Sequence, residues 1–255
     1  MPSLGSRLAR AFDSPEVKRR HVRGLFATIA DRYDLITVLL SFGRDRAWKQ
    51  RLVRLANVRP GSRVLDLACG TGDIGFEAAA LGGVVTGLDI TPRMIELARG
   101  KARARRLAAH WLVGDMTSLP ISDARFDVIT TGYGLRNVPD LPEAIAEMYR
   151  VLKPGGVACS LDFDRPGSAF IRGVYLGYLS IVGSMLGWVL HRDPDTYRYI
   201  PASIRRYPGS QGVAELMRAA GFENVRALPV LGGLMAIHVA RKPAEPTTDN
   251  LQLTT

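Results

Sequence analysis

Three carboxylates stand at the ends of short apolar runs: Asp66 in Val64-Leu65-Asp66-Leu67, Asp89 in Leu88-Asp89-Ile90, and Asp115 in Gly114-Asp115-Met116. Acids placed at consecutive strand ends face the crevice in which open α/β sheets bind their ligands. Asp66 leads into Ala68-Cys69-Gly70-Thr71-Gly72-Asp73, where Gly70 and Gly72 let the backbone turn tightly and bring Thr71 close to a ligand. No Lys-Ser or Lys-Thr follows those glycines, so no triphosphate cradle is expected, and the third glycine of the dinucleotide fingerprint is displaced to Gly75. A ligand-facing Asp66 would repel a pyrophosphate but suits the cationic amino group of a methionine moiety. Asp89, seventeen residues beyond Gly72, is placed to accept both hydroxyls of a ribose. Asp115 suits an adenine amino group, with Met116 packed on the ring. The combination implies S-adenosylmethionine as cofactor and methyl transfer as the reaction.

These residues need a scaffold, and the pattern of the chain supplies one. Apolar runs at 63–67, 84–88, 110–113, 126–131 and 157–163 have strand character and alternate with stretches of helical period. That alternation predicts a parallel sheet covered by helices. Leu141, Ile145, Met148 and Leu152 recur at helical spacing, and Lys153-Pro154-Gly155-Gly156 then breaks the helix. After the fifth strand, residues 167–208 form a helical insertion holding the charge-free run 174–190. A helix over 211–220 and strands over 225–230 and 234–240 follow, the two strands joined by the short Gly232-Gly233 turn. So short a connection cannot join parallel neighbours, so the last strand must be antiparallel. The expected fold is α/β and Rossmann-like: six parallel strands, a reversed last strand, N-terminal helices and the insertion between strands five and six. This architecture resembles that of class I methyltransferases. Residues 1–24 and 243–255 read as a basic tail and a polar tail around a domain at 25–242.

Several segments outside the cofactor turn resemble the C-methyltransferase family that completes ubiquinone and menaquinone. They are Tyr33-Asp34-Leu35 with Ser41-Phe42-Gly43 and Arg46-Ala47-Trp48-Lys49; Gly134-Leu135-Arg136-Asn137-Val138; Tyr149-Arg150-Val151-Leu152-Lys153-Pro154-Gly155-Gly156; and DTYRYIPAS from Asp195 with Arg205 and Pro208. Thr37 stands where that family usually has Asn, and Gly132 where it commonly has Ser, so any cofactor contact at Gly132 is through the backbone. Gly132-Tyr133-Gly134, Leu161-Asp162-Phe163 with Arg165-Pro166, and Gly232-Gly233-Leu234-Met235 look more like the naphthoquinone branch than the benzoquinone branch. The resemblance implies C-methylation of a reduced prenylated quinone of the demethylmenaquinol type, with benzoquinol or another apolar acceptor as the alternative.

Moving a methyl group onto a ring carbon requires an electron-rich ring, so the quinol is the reactant and its hydroxyl must be at least partly deprotonated. Arg136 and Asn137, acting through an ordered water, are the candidates for this step, with Tyr33 orienting the quinol oxygen. Arginine is never a free base at neutral pH, so its part would be to lower the hydroxyl pKa by charge and hydrogen bonding. The competing readings are an Arg136 that merely pairs with an acid such as Asp140, a Tyr33 on a solvent-exposed helix, and His238 as the base. His21, His110, His191 and His238 show no ligand spacing with Cys69 and Cys159, so no metal is expected. The two cysteines sit in apolar runs, read as small buried hydrophobes, and point to a reducing, cytoplasmic compartment.

Lys plus Arg exceed Asp plus Glu by 34 to 24, a net charge of +10 that suits an anionic surface. No nucleic-acid-binding signature or interleaved aromatics accompany it, so nucleic acid is not the expected partner, although an S-adenosylmethionine-binding RNA-associated protein is the non-enzyme alternative. Run 174–190 is marginal for a membrane span, for which about twenty apolar residues are needed. Peripheral contact with the inner face of an anionic membrane, through this run and the basic N-terminal stretch, is the expectation, and a homodimer is left open.

Overall fold

Strand β1 (Arg63–Leu67) is buried along all but its first residue, as expected of a central strand covered on both faces. The computed structural model describes residues 8, 10–165, 168–194 and 196–244. In it, β1 pairs in parallel with β2 (Val84–Asp89) on one side and β4 (Phe126–Gly132) on the other. β3 (Ala109–Val113) extends the first side and β5 (Leu152–Phe163) the second. β7 (Met235–Arg241) lies antiparallel between β5 and β6 (Glu223–Val230), giving the order β3-β2-β1-β4-β5-β7-β6. The Leu231–Gly233 turn thus reverses the chain as its brevity required. The strand order switches direction between β1 and β4, and a crevice opens there at the carboxyl ends.

Side chains one and three places along a strand share a face. On one face, Leu65 and Leu67 of β1 pack with Ile145 and Met148 of a helix at Leu141–Val151 and with Val213 and Met217 of a helix at Gly209–Ala219. On the other, Val64 packs with Leu52 and Val53 of a helix at Asp45–Leu55 and with Ile74 of a helix at Asp73–Ala80. The helix at Leu141–Val151 ends one residue earlier than its pattern suggested, because Leu152 already pairs with Phe126 as the first residue of β5. The Lys153–Gly156 break is therefore an irregular start to a strand, with Gly155 at φ 75°.

In chain order the longer helices are α1 (Pro15–Ile29), α2 (Tyr33–Leu40), α3 (Asp45–Leu55), α4 (Asp73–Ala80), α5 (Pro92–Ala104), α6 (Leu141–Val151), α7 (Ala169–His191), α8 (Tyr199–Arg206) and α9 (Gly209–Ala219). α1 corrects one expectation: the stretch read as a loose tail through residue 24 is helical from residue 15. Ser14 caps it by accepting the Val17 N–H, proline opens its first turn, and Val22 and Ile29 are buried. The basic residues between Glu16 and Gly24 hid that stripe, although Lys18 and Arg19 turn inward, to the Val138 carbonyl and to Asp115. The remaining residues expected in the N-terminal tail are only partly described, and Pro166, Asp195 and residues 245–255 lie outside the described residues.

α7 is long and apolar enough, by length and composition, to cross a membrane. One of its sides nevertheless packs inward through Tyr175, Leu176, Leu179, Gly183 and Gly187. At Gly187 a Cβ would stand 2.4 Å from the Asp193 carbonyl oxygen, so the returning chain crosses the helix in direct contact.

Candidate active site

The turn after β1 carries Gly70 at φ 54° and Gly72 at φ 94° and delivers the first residues of α4. Asp89 ties this turn to the end of β2: its Oδ2 accepts the Gly70 N–H at 2.9 Å and its Oδ1 the Thr91 N–H at 2.8 Å. Burial pushes the Asp89 carboxyl above the usual carboxylate range, against the pull of those two donors. A carboxylate has about four acceptor positions, so two remain for a ligand's hydroxyls. Asp89 lines a cleft of about 640 Å³ together with Gly70, Met116, Gly132 and Asn137, and with Phe26 of α1. Asp115 lines it too, with Oδ1 accepting from the Thr117 N–H and hydroxyl and Oδ2 held by Arg19 Nε of α1 at 2.7 Å. A buried acid with free lone pairs, a side-chain-free turn and a second acid beside an apolar Met116 fit the hydroxyls, chain and base of S-adenosylmethionine.

Asp66, Thr71 and Gly72, also expected at the cofactor, do not line this cleft itself. Asp66 shares the face of Val64 and points beneath the turn, where Oδ2 accepts the Gly75 N–H at 3.0 Å and Oδ1 the Thr130 hydroxyl at 2.8 Å. Period-two alternation put it under α4, so it braces the turn instead of facing the ligand. Thr71 lines a smaller space of about 270 Å³ that shares Tyr33, Ala68, Gly132 and Tyr133 with the cleft, and its hydroxyl donates to Asp34 Oδ1 at 2.6 Å and accepts from Lys101 Nζ at 2.8 Å. Gly72 faces Trp111, and a Cβ there would come within 2.6 Å of the indole. Gly72→Ala is therefore expected to lower stability by about 1–3 kcal/mol through overpacking added to the positive φ. Chemical denaturation of the folded variant measures it, and an unchanged midpoint would show that the Trp111 side chain yields freely.

Burial raises the Asp66 pKa to about 7, with Thr130 and Gly75 pulling the other way. A folded-state pKa above the unfolded value means stability is present in full at low pH and is lost as pH rises through about 7. An amide can accept from Gly75 and donate to the Thr130 oxygen, so Asp66→Asn should fold and lose less melting temperature than wild type between pH 5 and 8, a loss this site brings about through linkage. Parallel pH profiles of the two proteins would refute it.

A second cavity, of about 720 Å³, adjoins the cleft and is walled by apolar and aromatic side chains, among them Ile36, Leu40, Phe163, Tyr175 and Tyr199. Phe26, Tyr33 and Tyr133 line both spaces and form the partition between them. Tyr33 is thus turned into the site from α2, and burial pushes its phenol up to about 12, keeping it a neutral donor. Tyr133 adopts a positive φ of 60°, a strained geometry for a bulky residue and one common at functional sites. Its hydroxyl donates to the buried Asp45 Oδ1 at 2.6 Å; Asp45 pairs with Lys49 at 2.5 Å, and Lys49 with Asp73 at 3.0 Å. Burial disfavours the charged form of Lys49, but Asp45 and Asp73 outweigh it and hold its pKa above the ordinary lysine value.

Arg136 faces the apolar chamber from the loop after β4. Its Nη1 donates to Asn137 Oδ1 at 3.1 Å and to Ser203 Oγ of α8 at 3.0 Å, and its guanidinium lies 4.8 Å from the centre of the Phe163 ring. Its acid is Asp162, not Asp140: Nε stands 3.2 Å from Asp162 Oδ1, and Asp162 Oδ2 accepts the Arg136 N–H at 3.1 Å. Asp140 instead caps α6 by accepting the Glu143 N–H. Nη2 has no hydrogen-bond partner among the described residues, which leaves its two N–H groups for a ligand in the chamber. Asn137 donates to the Tyr133 carbonyl at 2.7 Å, locking its amide. His238 is buried between Ser160 and the Ser210 carbonyl, away from both cavities, and burial lowers its pKa. Of the cysteines, Cys159 is buried, whereas Cys69 is partly exposed on the turn.

Sequence reasoning passed over Tyr133, Asp162 and the Asp45–Lys49–Asp73 chain as site residues. A signal existed for the charged groups: an acid within the apolar run of β5 must find a cation, and an Asp and a Lys four apart on an apolar helix face must pair inside.

Residues 14–242 match the ubiE/COQ5 methyltransferase family. A demethylmenaquinone methyltransferase of Thermus thermophilus is 41% identical over 221 residues, which cover 86% of this chain and all of that protein. A 2-phytyl-1,4-naphtoquinone methyltransferase of Synechocystis sp. is 38% identical, covering 87% of this chain and 94% of that one. A ubiquinone/menaquinone biosynthesis C-methyltransferase of Zymomonas mobilis is 37% identical, covering 88% and 93%. Among solved structures, a SAM-dependent methyltransferase from Thermotoga maritima superposes with a TM-score of 0.63 at 21% identity, over 87% of this chain and all of that one, and so shares the fold.

Proposed function

The chain belongs to the ubiE/COQ5 methyltransferase family and is an S-adenosylmethionine-dependent methyltransferase of quinone biosynthesis; from that premise we propose that its acceptor is a reduced prenylated naphthoquinone of the demethylmenaquinol type. The observation that carries this reading is the apolar, aromatic-walled chamber that holds one cation among its described lining residues, Arg136, and shares the Tyr33–Tyr133 partition with the cofactor cleft. A planar bicyclic ring and its isoprenoid tail match such walls, and the names of two relatives, demethylmenaquinone and 2-phytyl-1,4-naphtoquinone methyltransferase, favour a naphthoquinone. A benzoquinol is the second reading, favoured by the relative named for both ubiquinone and menaquinone biosynthesis.

In this reading Asp89 takes the ribose hydroxyls and Asp115 with Met116 the base, while Gly70 and Gly132 contribute backbone. S-Adenosylmethionine, when bound, supplies an electrophilic methyl group. The chain's residues prepare the acceptor: the charge of Arg136 and its Nη2 stabilise the phenolate formed when the quinol hydroxyl gives its proton to water, Tyr33 donates to an oxygen of the ring, and Asn137 fixes the Arg136 fork. The fixed partition aligns donor and acceptor, an effect worth up to roughly 7–11 kcal/mol in well-oriented systems. Incubation with methyl-labelled cofactor and matched prenylated naphthoquinol and benzoquinol acceptors tests the proposal. Label in the naphthoquinol with at least about tenfold preference supports it, and equal or reversed labelling replaces it with the second reading.

A further inference from the structure

A surface helix ordinarily turns a polar face to water, and one apolar all round is either buried or set against an apolar medium. α7 is apolar on both sides: opposite its buried stripe, Ile181 is 65% exposed, Met185 63%, Trp188 67% and Val189 66%. α2 lies beside it in the opposite direction. Arg32, at the start of α2, donates from Nη1 to the Leu190 carbonyl near the end of α7, and Phe42, just past α2, stacks on Tyr178 at 5.4 Å. α2 exposes Leu35, Val38 and Leu39, and Phe42 is 61% exposed. The two helices therefore present one continuous apolar face, far more than the scattered exposed leucines of an ordinary surface.

The rim of this face is cationic. Arg32, Arg44 and Arg192 are exposed at the ends of the two helices, and the acids beside Arg32 are already engaged, Asp31 by Arg93 and Asp34 by Lys101. On their inner sides the same helices wall the apolar chamber through Ile36, Leu40 and Tyr175. One helix thickness separates the chamber from the exposed face.

We infer that the α2–α7 face is a docking surface for an anionic lipid bilayer, seating the Phe42, Met185 and Trp188 side chains among acyl chains and the rim arginines among headgroup phosphates. Insertion of such a face scales with buried apolar area and with attraction to anionic lipid. Its use, bringing the chamber to a lipid-borne acceptor, rests on the prenylated-quinol reading above; the surface itself does not.

Trp48 and Trp111 are buried, so a lipid-dependent change in tryptophan emission reports Trp188. The full-length protein is mixed at low salt with vesicles of phosphatidylglycerol and phosphatidylcholine, or of phosphatidylcholine alone. Co-sedimentation with the anionic vesicles and a blue shift of emission are expected. The triple variant Ile181→Ser, Met185→Ser, Trp188→Ser removes only exposed side chains and should lower the partition coefficient by about tenfold or more. Methylation of a water-soluble short-chain quinol should remain at the wild-type rate in that variant. Absence of vesicle binding, equal binding by the triple variant, or a self-association that the triple variant abolishes without any lipid binding overturns the inference, the last showing that a second copy covers the face. Vesicle binding by a protein that methylates no quinol overturns the acceptor assignment and leaves the docking surface standing.

Discussion

Arg136→Lys is expected to lower turnover at least about tenfold, part of the roughly 100- to 10,000-fold that general acid–base groups contribute, while leaving cofactor affinity and melting temperature near wild type. The reason lies in the geometry of the fork. A lysine ammonium can still neutralise Asp162, so the buried acid keeps a counter-charge, but one mobile point charge cannot serve Asp162, Ser203, Asn137 and a substrate oxygen together. Arg136→Met should behave differently, leaving a buried carboxylate unpaired at a cost of about 3–5 kcal/mol. Adding Asp162→Asn to it should restore most of the stability and none of the activity, which separates the chemical part of Arg136 from its structural part. A wild-type rate in Arg136→Lys would remove the residue from the chemistry, and early melting of that variant would return it to a purely structural role.

Asp89→Ala should weaken S-adenosylmethionine binding by about 1.5–3 kcal/mol, roughly ten- to a hundredfold in Kd, for two reasons that act together. The ribose hydroxyls lose a charged acceptor, and the Gly70 and Thr91 N–H groups lose theirs, so the turn that shapes the cleft is released. Asp89→Asn keeps one carbonyl oxygen and should fall between wild type and the alanine variant. Titration calorimetry on folded protein decides the matter, and unchanged affinity in Asp89→Ala would take Asp89 out of the cofactor site.

Elements set by local pattern were legible in the sequence. The seven strands and the helix ending before Lys153 follow from apolar periodicity and from turn residues, which act on neighbours in the chain. The reversed last strand followed from the length of one connection. The positions of Gly70, Asp89, Asp115, Met116, Gly132 and Asn137 along one cleft also follow locally, because each terminates or directly follows a strand of the same sheet. The helical start of the chain was harder to see: α1 is anchored by Arg19 to Asp115 and by Lys18 to the Val138 carbonyl, about a hundred positions away, and its own composition is basic.

What the sequence determined by itself, then, is the sheet, its order of elements and the rank of acids at its edge, since strand period and turn chemistry operate over a few residues. Tertiary structure alone decided the direction and partner of each buried charge. Asp66 braces a turn beneath the cleft, Arg136 pairs with Asp162 and not with its near neighbour Asp140, and Tyr133 is held by Asp45 from a helix 88 positions earlier. A charge that loses its water must be neutralised by whichever opposite group the packed fold brings within reach. That choice is made between elements distant in sequence, so no window of neighbouring residues contains it.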